Sequence, residues 1–459
     1  RDTDRSRGLG DVYKRQAFTR LLGLEIRHNI NEHPTANISG EMSIEAAQDY
    51  MNRADERTAV KISTTAQGQP AVLFYGVATS VGMQKMSNYA VVQLVVTSTS
   101  VLLDYEKKNK SYQNTSKTYE EIMTQSVAGQ AMIQMQVTDR ATGSIIVQCN
   151  ETAWEFCKRM ASRLNAPVIT SINARVPVFT IGIPKRGKTY PLADVELHTE
   201  SGNLSSKGFM AQDMLGTNIK TTQYMFLGEA ISLGSGNQKV SGISASLESG
   251  MLISTVCIST EKSFTQPTVS NTQISGKMYT GVVQAVQKDQ VQVHLVDIDS
   301  EYDAGGNVWL PYSTAYSSSD GSGFYCMPAV GDQVRVFFPG SNEGEAFAAS
   351  SVSVNSAPEV TDKQWTGPEG KQILMTKEGI YITTNASDNK IFINLTDKDG
   401  ITISSNKNIT ICAKKNLSLI SNDTININAE NDILISSAES YIDIKPEGIE
   451  LGAENVVIK

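Results

Sequence analysis

The sequence predicts a mainly β protein with minor α content that ends in a rod of stacked strands. Three observations support this prediction: an eight-residue repeat of apolar pairs near the end of the chain, short β-rich segments over most of the remainder, and only two clear helix patterns. At 459 residues the chain is long enough for about three domains. We therefore expect several β domains followed by a repeat structure.

The repeat consists of two apolar residues separated by one residue, recurring every eight positions from residue 401 to residue 435, with looser pairs on both sides. The residue between them is polar with one exception, as a strand with one buried face requires. In repeat architectures each unit buries its apolar face only against a neighbour. The residues predicted to form this core are Ile391, Ile393, Ile401, Ile403, Ile409, Ile411, Leu417, Leu419, Ile425, Ile427, Ile433, Ile435, Ile442 and Ile444.

Two arrangements fit the repeat: one chain coiling by itself, or three chains winding together. A single chain with ten apolar pairs would make only about three turns, which is near the minimum for a stable repeat array. Three chains would give about ten strands per face and a shaft of roughly 50 Å, because strands lie ~4.8 Å apart. The sequence favours a triple-stranded intertwined β-helix, and therefore a homotrimer.

The first part of the chain, residues 17–172, alternates strand-like and helical stretches. Residues 71–76 and 89–97 predict strands through their aromatic and β-branched content. Thr118 and Glu121 have the spacing of a capping box, so a helix is predicted to begin there. Asn150 is the predicted N-cap of a second helix, whose apolar stripe predicts packing against a sheet. We predict one α+β domain here.

The remaining boundaries follow from composition. Residues 173–265 are mostly short β segments and predict a second, β-rich domain, whereas residues 278–354 predict a compact β-barrel. Residues 355–370, with their Pro and Gly residues, predict a linker, and residues 371–459 the needle. Residues 1–16 contain no apolar stretch of a signal peptide and are taken as a non-native or disordered leader outside the fold.

Charge and composition exclude several classes of function. The net charge is −8, so a trimer carries three times −8, or −24, which argues against nucleic acid as a partner. No stretch approaches the roughly 18 apolar residues of a membrane-spanning helix. The five scattered cysteines lack the close pairs of a zinc site and suit a reducing compartment. None of the four histidines lies in the repeat, so we predict no metal site and no cofactor.

Catalytic motifs are not found either. The sequence contains no G-x-S-x-G elbow, no P-loop and no H-E-x-x-H. The carboxylate pairs Asp104/Glu106 and Glu120/Glu121 lie among other charged residues and favour a solvated surface. We expect no catalytic residue and no enzymatic activity.

Three segments together resemble the spike and hub proteins of contractile injection systems. Residues 102–114 resemble the hub segment of the valine-glycine repeat (VgrG) family, and residues 327–337 resemble the oligonucleotide/oligosaccharide-binding (OB) type barrel that precedes the spike rod. A third segment is similar to a helical hub motif of the family, and its residues are Asn150, Trp154, Phe156 and Arg159. The repeat departs from the family in lacking frequent Val-x-Gly, and no lysozyme-like domain interrupts the chain.

The resemblance implies a hub of two barrel-like domains, an OB-type barrel and a trimeric β-helical needle. It implies a central spike that joins a hexameric tail tube and baseplate to a membrane-puncturing needle driven by sheath contraction. Implied partners are two further copies of the chain, tube and baseplate proteins, a separate PAAR-like tip protein, effector cargo and, transiently, the target membrane. Such a particle is assembled in the bacterial cytoplasm and acts outside the cell.

One alternative is a trimeric tail fibre or adhesin that binds a receptor or glycan. Fibres carry a distal head, whereas this sequence ends in the repeat at Lys459. Four aromatic residues of the barrel segment could form a sugar-binding platform, although core and interface packing is the favoured interpretation. These residues are Tyr302, Trp309, Tyr312 and Tyr316.

Overall fold

The computed structural model describes residues 18–66, 69–191, 197–201, 215–233, 236–352, 359–367, 369–385, 387–388 and 390–457. The chain divides after residue 354 into two compact units. Both are built from strands with few helices, so the predicted mainly β class is confirmed. The predicted leader and part of the predicted linker, residues 355–358 and 368, lie outside the described residues.

The hub region of the first unit contains the following elements in chain order: β1 (Arg20–Asn29), β2 (Thr35–Met42), α1 (Ile44–Arg53), β3 (Ala59–Ala66), β4 (Gln69–Lys85), β5 (Ala90–Ser98), β6 (Lys107–Tyr112), α2 (Tyr119–Val127), β7 (Met132–Met135), β8 (Ile146–Thr152), α3 (Ala153–Arg163), β9 (Val168–Thr170), β10 (Val178–Ile181), β11 (Thr189–Pro191), β12 (Leu197–Ser201), β13 (Leu215–Thr221), β14 (Ala230–Leu233), β15 (Gly236–Glu248) and β16 (Met251–Ser259).

A sheet of 11 strands forms the centre of the hub, in the order β12-β13-β16-β15-β1-β2-β5-β4-β3, with β14 on β15 and β11 on β14. The sheet contains two five-stranded motifs with the same topology. Motif 1 (β1–β5) has the order β1-β2-β5-β4-β3, and motif 2 (β12–β16) has the order β12-β13-β16-β15-β14. All neighbours within each motif are antiparallel. The two predicted hub domains each contain one motif and share this sheet.

The hairpins β4–β5 and β15–β16 correspond residue by residue, with a constant separation of 162 positions in their strand registers. Each has a β-bulge, after Ala78 in the first and after Val240 in the second. The bulged Thr79 donates to the Val95 carbonyl at 3.2 Å and contacts the Thr97 hydroxyl at 3.0 Å. At the equivalent place, the bulged residue is Ser241. It donates to the carbonyl of Cys257 at 3.2 Å and contacts the Ser259 hydroxyl at 2.9 Å.

Helices α2 and α3 of the hub begin at capping boxes. The box predicted at Thr118 is confirmed, because its hydroxyl accepts from Glu121 N–H while the Glu121 carboxylate accepts from Thr118 N–H. The prediction of Asn150 as the second cap is wrong. Helix α3 is capped by Thr152, paired in the same way with Glu155. Asn150 instead has φ 52°, a left-handed conformation that asparagine tolerates, in the strand leading to the cap.

A closed barrel follows, formed by β17 (Met278–Gln287), β18 (Gln290–Leu295), β19 (Leu310–Ser313), β20 (Gln333–Phe337) and β21 (Phe347–Ala349). The predicted OB-type barrel is confirmed. Alternating valines such as Val291 and Val293 are fully buried in its core. Gly281 allows close packing, since a Cβ there would lie 2.1 Å from Cγ1 of Val293.

The second unit contains two antiparallel sheets. The first is a meander of β22 (Lys363–Thr366), β23 (Gln372–Met375), β24 (Gly379–Thr383), β25 (Phe392–Thr396) and β26 (Gly400–Ser404). The second consists of β27 (Ile433–Ser437), β28 (Ser440–Lys445) and β29 (Gly448–Gly452). Successive strands therefore pair with each other, which neither of the two predicted arrangements of the repeat anticipated. Between the sheets, residues 405–432 form no strand within the single chain.

Candidate functional site: the hub–barrel joint and the apolar C-terminal face

Helix α3 carries three of the four predicted hub-motif residues. Trp154 and Phe156 are 1% and 0% exposed and belong to the hub core. The Trp154 ring packs edge-on against Phe179 at 5.9 Å, and Phe156 stacks on Tyr112 at 5.2 Å. The fourth residue, Asn150, donates its backbone N–H to the side chain of Asn109 at 2.7 Å. These residues fix α3 against strands β6 and β10.

Arg159 on α3 connects the hub to the barrel. Its Nε and Nη2 donate to the two carboxylate oxygens of Glu151 at 2.8 Å, and its Nη1 donates to Glu343 in the barrel at 2.9 Å. Arg163 donates to the second oxygen of Glu343 at 2.8 Å, and Asn271 donates to the first at 3.0 Å. Two arginines and two glutamates thus form a balanced cluster, which we call the ionic joint (Arg159, Arg163, Glu151 and Glu343).

The ionic joint is buried: Arg159 is 3% and Glu343 0% exposed. Burial alone would lower the pKa of Arg159, but its bonds to Glu151 and the charges of Glu151 and Glu343 raise that pKa above its ordinary value. A buried ion pair loses several kcal/mol of hydration per ion, so its members depend on one another. Removing one member would leave an uncompensated charge between hub and barrel.

A second set of contacts joins the two parts. The backbone N–H of Ser111 donates to the carboxylate of Asp299 at 2.7 Å, and the Ser111 hydroxyl donates to its other oxygen. Burial raises the pKa of Asp299. Gln113 donates to the Val293 carbonyl of the barrel at 3.1 Å. The barrel is therefore held at two places.

Strand β8 lies between the two cores. Ile146 packs in the hub core, whereas its neighbours Ile145 and Val147 pack in the barrel core with Val283 and Val334. Side chains of a strand alternate between its two faces, so one strand contributes to both cores. Hub and barrel are consequently a continuous packed structure.

A Ser–His–Asp arrangement occurs in the hub. Ser100 Oγ lies 2.7 Å from Nδ1 of His33, whose Nε2 lies 3.4 Å from Asp104. Asp104 also accepts from the hydroxyl of Thr152 at 2.5 Å. Ser100 is only 2% exposed, and burial lowers the pKa of His33 despite the nearby Asp104. The contact of Asp104 with Thr152 stabilises the start of α3, and the serine is buried.

The other predicted candidates are dispersed. Glu121 serves its capping box, and Tyr302 packs beside the His294 ring at 5.7 Å. Tyr312 packs against the barrel core, whereas Tyr316 is 57% exposed, so these aromatics do not form one platform. The described residues contain no group of three or more His, Cys, Asp or Glu placed to hold a metal ion.

Seven of the fourteen predicted core residues of the needle lie in strands of the two C-terminal sheets, and within each sheet they share one face. Ile393 pairs with Ile382 and Ile403, and Leu395 pairs with Ile380 and Ile401. In the second sheet Ile433 pairs with Ile444, and Ile435 with Ile442. Most residues of these apolar rows are exposed within the single chain, with Ile401 71% exposed. Leu417 and Ile425 lie in the segment without strands and are 56% and 52% exposed. Ile391 lies directly before β25.

Comparisons with known proteins agree with this architecture. Residues 279–352 match the family model of the type VI secretion system/phage-baseplate injector OB domain. No curated protein sequence matches the chain. A solved structure of the Escherichia coli c3393 protein, a type VI secretion component described as similar to the T4 bacteriophage tail proteins gp27 and gp5, is 15% identical. It aligns over 73% of this chain and 97% of its own with a TM-score of 0.53.

VgrG from the Francisella PdpA–VgrG complex, in its half-lidded form, is 9% identical. It aligns over 84% of this chain and 83% of its own with a TM-score of 0.53. The chain thus has the fold of a baseplate hub and spike protein. More specifically, it has the VgrG-like arrangement in which an injector OB barrel follows the hub. Among the described residues no helix is long and apolar enough to cross a membrane.

Proposed function

We propose that the chain is the trimeric central spike of a contractile injection apparatus. Its hub would dock on a hexameric tail tube, its barrel would join the hub to the needle, and the needle would puncture a target membrane when a sheath contracts. The single observation that carries this proposal is the repeated five-stranded motif of the hub. Three chains with two motifs each present six similar units, which resolves the mismatch between a three-fold spike and a six-fold tube.

The C-terminal unit supports the trimer. Its apolar rows are long and uncovered in one chain, and contiguous apolar surface of this kind marks an interaction site. Two further copies would cover it around a three-fold axis. Burying this apolar surface, at about 25 cal/mol per Å², would then stabilise the assembled needle.

The hub–barrel joint supports the mechanical role. The ionic joint and the shared strand β8 fix the barrel to the hub, so a push on the hub would reach the barrel without loss in a flexible linker. The force would come from the sheath. We assign no catalytic step to this chain, because the serine of the Ser–His–Asp arrangement in the described hub is buried.

Partners and location follow from the same proposal. VgrG in the similar Francisella structure is in complex with PdpA, so an effector-like partner on this hub is part of the proposal, as are baseplate proteins and a separate tip protein. The particle would be assembled in the bacterial cytoplasm and would act after release or firing.

Electron microscopy of the purified full-length chain tests the proposal. Class averages along the long axis should show three-fold symmetry with six similar densities in the hub. Particles with one or two chains, or a hub with three unrelated densities, would contradict it.

A further inference from the structure

A cleft of about 430 Å³ lies next to the ionic joint, and Glu151 and Arg159 of the joint line it. Most of its other lining residues come from helix α3 and from residues 266–273, which lead from the hub to the barrel. We call residues 266–273 the strap, and the cleft that it lines together with α3 the strap cleft. The volume lies within the range of ligand-binding clefts, about 300–1,000 Å³.

Hydrogen bonds fix the strap to the hub. The backbone N–H of Val269 donates to Oγ of Ser162 in α3 at 2.9 Å. Two positions further on, the side-chain amide of Asn271 donates to the Val147 carbonyl of β8 at 2.8 Å. The folded chain therefore holds the lining of the strap cleft in place, so a ligand would not have to order it first.

Two lysines line the strap cleft, Lys107 at the start of β6 and Lys158 in α3. Neither forms an ion pair with another residue of the described chain. Lys158 is half-buried, and its Nζ lies 5.6 Å from the centre of the Trp154 ring. Because a partly buried ammonium group is stabilised by nearby negative charge, a carboxylate from outside the chain would complete this arrangement.

The carboxylates of the strap cleft do not serve these lysines. Glu151 accepts two hydrogen bonds from Arg159 at 2.8 Å, and Glu155 accepts from the backbone N–H of Thr152 at 2.9 Å. Both carboxylates are thus held by groups of the hub, whereas the two lysines are not. Although the whole chain carries a net charge of −8, the strap cleft favours an anionic ligand.

An unpaired acceptor indicates a second property of the ligand. Asn271 lines the strap cleft and is 1% exposed, and its Oδ1 has no hydrogen-bond partner among the described residues. A buried acceptor without a donor costs stability, so a ligand that brings an N–H is favoured. A free carboxylate has no N–H, whereas a polypeptide carries both N–H groups and carboxylates. Val269, which also lines the cleft, is 50% exposed and offers an apolar contact.

We propose that the strap cleft binds an acidic segment of a partner polypeptide. Carboxylates of the segment pair with Lys107 and Lys158, and one of its N–H groups donates to Oδ1 of Asn271. Recognition of acidic motifs by clustered cations is a recurrent mode of peptide binding. The proposal goes beyond the proposed function, since a single chain would bind such a segment as well as three chains would.

Fluorescence anisotropy tests the proposal. A short glutamate-rich peptide, labelled with fluorescein at one end, is titrated with the full-length chain. It should bind, and its affinity should fall as salt is added, because salt screens the charges. The same labelled peptide with every glutamate replaced by glutamine should bind roughly tenfold more weakly. Equal binding of the two peptides, or binding of neither, would overturn the proposal.

Variants of the chain locate the binding site. Lys107→Gln with Lys158→Gln should weaken binding of the glutamate-rich peptide by roughly tenfold. The matched control, Lys61→Gln with Lys220→Gln, removes the same charge from two exposed lysines outside the cleft and should leave the affinity unchanged. Ser270→Trp fills the cleft from the exposed strap without changing any charge, and should also weaken binding. Equal losses in the two lysine variants, with no loss in Ser270→Trp, would overturn the site.

Competition and sedimentation distinguish the other occupants. If free citrate displaces the peptide at the same carboxylate concentration, the cleft takes small carboxylates and the polypeptide proposal is overturned. If Lys107→Gln with Lys158→Gln lowers the sedimenting mass, a second copy of the chain occupies the cleft, which also overturns it. A chain that binds the peptide but sediments as a monomer would contradict the trimeric spike and leave the strap cleft standing.

Discussion

Nη1 of Arg159 in the hub lies 2.9 Å from Oε1 of Glu343 in the barrel, and both side chains are buried. Replacing Arg159 with Met would leave Glu151 and Glu343 with Arg163 as their remaining cation. We expect the free energy of unfolding to fall by about 3–5 kcal/mol, as for other broken buried ion pairs. Urea denaturation followed by tryptophan fluorescence measures this change.

The control for this variant is an exposed ion pair. Lys220 and Glu248 lie 3.1 Å apart with side chains 53% and 51% exposed. Glu248→Gln should change stability by about 0–1 kcal/mol, because solvent screens an exposed pair. Equal effects of the two variants would contradict the assignment of the ionic joint as the connection between hub and barrel.

Close packing in the barrel gives a second prediction. Gly281→Ala places a Cβ 2.1 Å from Cγ1 of Val293, so the barrel must distort. Overpacking of this kind costs about 1–3 kcal/mol. Val293→Ala removes the clashing atom, and the double variant should lose less stability than the sum of the two single variants. If the stability losses of the two single variants add strictly in thermal unfolding, the contact between residues 281 and 293 does not limit the packing of the barrel.

His28 gives a prediction about acid stability. It is fully buried, and desolvation, with a further contribution from the charge of Arg186, lowers its pKa from 6.5 to about 3. Between these values the unfolded chain binds a proton at this residue and the folded chain does not. The stabilising contribution is therefore complete above pH 6.5 and is lost as the pH falls toward 3, by at most about 1.4 kcal/mol per pH unit.

His28→Leu should remove this dependence. The variant's unfolding free energy should fall less steeply than that of the parent between pH 6 and pH 4. His294→Leu serves as the comparison, since that histidine is only partly buried on the barrel. Parallel pH profiles for the parent and His28→Leu would show that His28 is not buried in its neutral form.

The needle core gives a fourth prediction. Leu417→Asp with Ile425→Asp should prevent trimer formation, because unpaired carboxylates would be buried at the three-fold axis. Ser418→Asp with Asn426→Asp adds the same charges at the intervening polar positions and should leave the trimer intact. Size-exclusion chromatography with light scattering compares the two. Trimers from both variants would contradict the core assignment.

The sequence predicted the elements that depend on local signals. The capping box at Thr118, the valine alternation of the barrel and the pairing of apolar residues in the repeat are all visible over a few residues. The cap of α3 was misplaced at Asn150, although Thr152 and Glu155 show the same box spacing as Thr118 and Glu121. The box spacing of Thr152 and Glu155 is therefore the sequence signal that identifies this cap.

The remaining features depend on distant residues. Arg159 and Glu343 are separated by 184 positions, and no local pattern links them. The resemblance implied two barrel-like hub domains, but the residues alone did not show the duplicated motif, because its equivalent positions share backbone geometry more than side chains, as at Val95 and Cys257. The antiparallel meander was missed because the eight-residue period was extended to neighbouring pairs. Their spacing, 11 positions from Ile380 to Ile391 and 7 from Ile442 to Ile449, departs from eight and allows neighbouring strands to be joined by short turns.

The most direct measurement of the central claim is the mass of the purified full-length chain by sedimentation equilibrium. The account predicts a single species of three chains, each of 49.8 kDa, across the accessible concentration range. A stable folded species of one chain, with its C-terminal isoleucines left facing solvent, would contradict it.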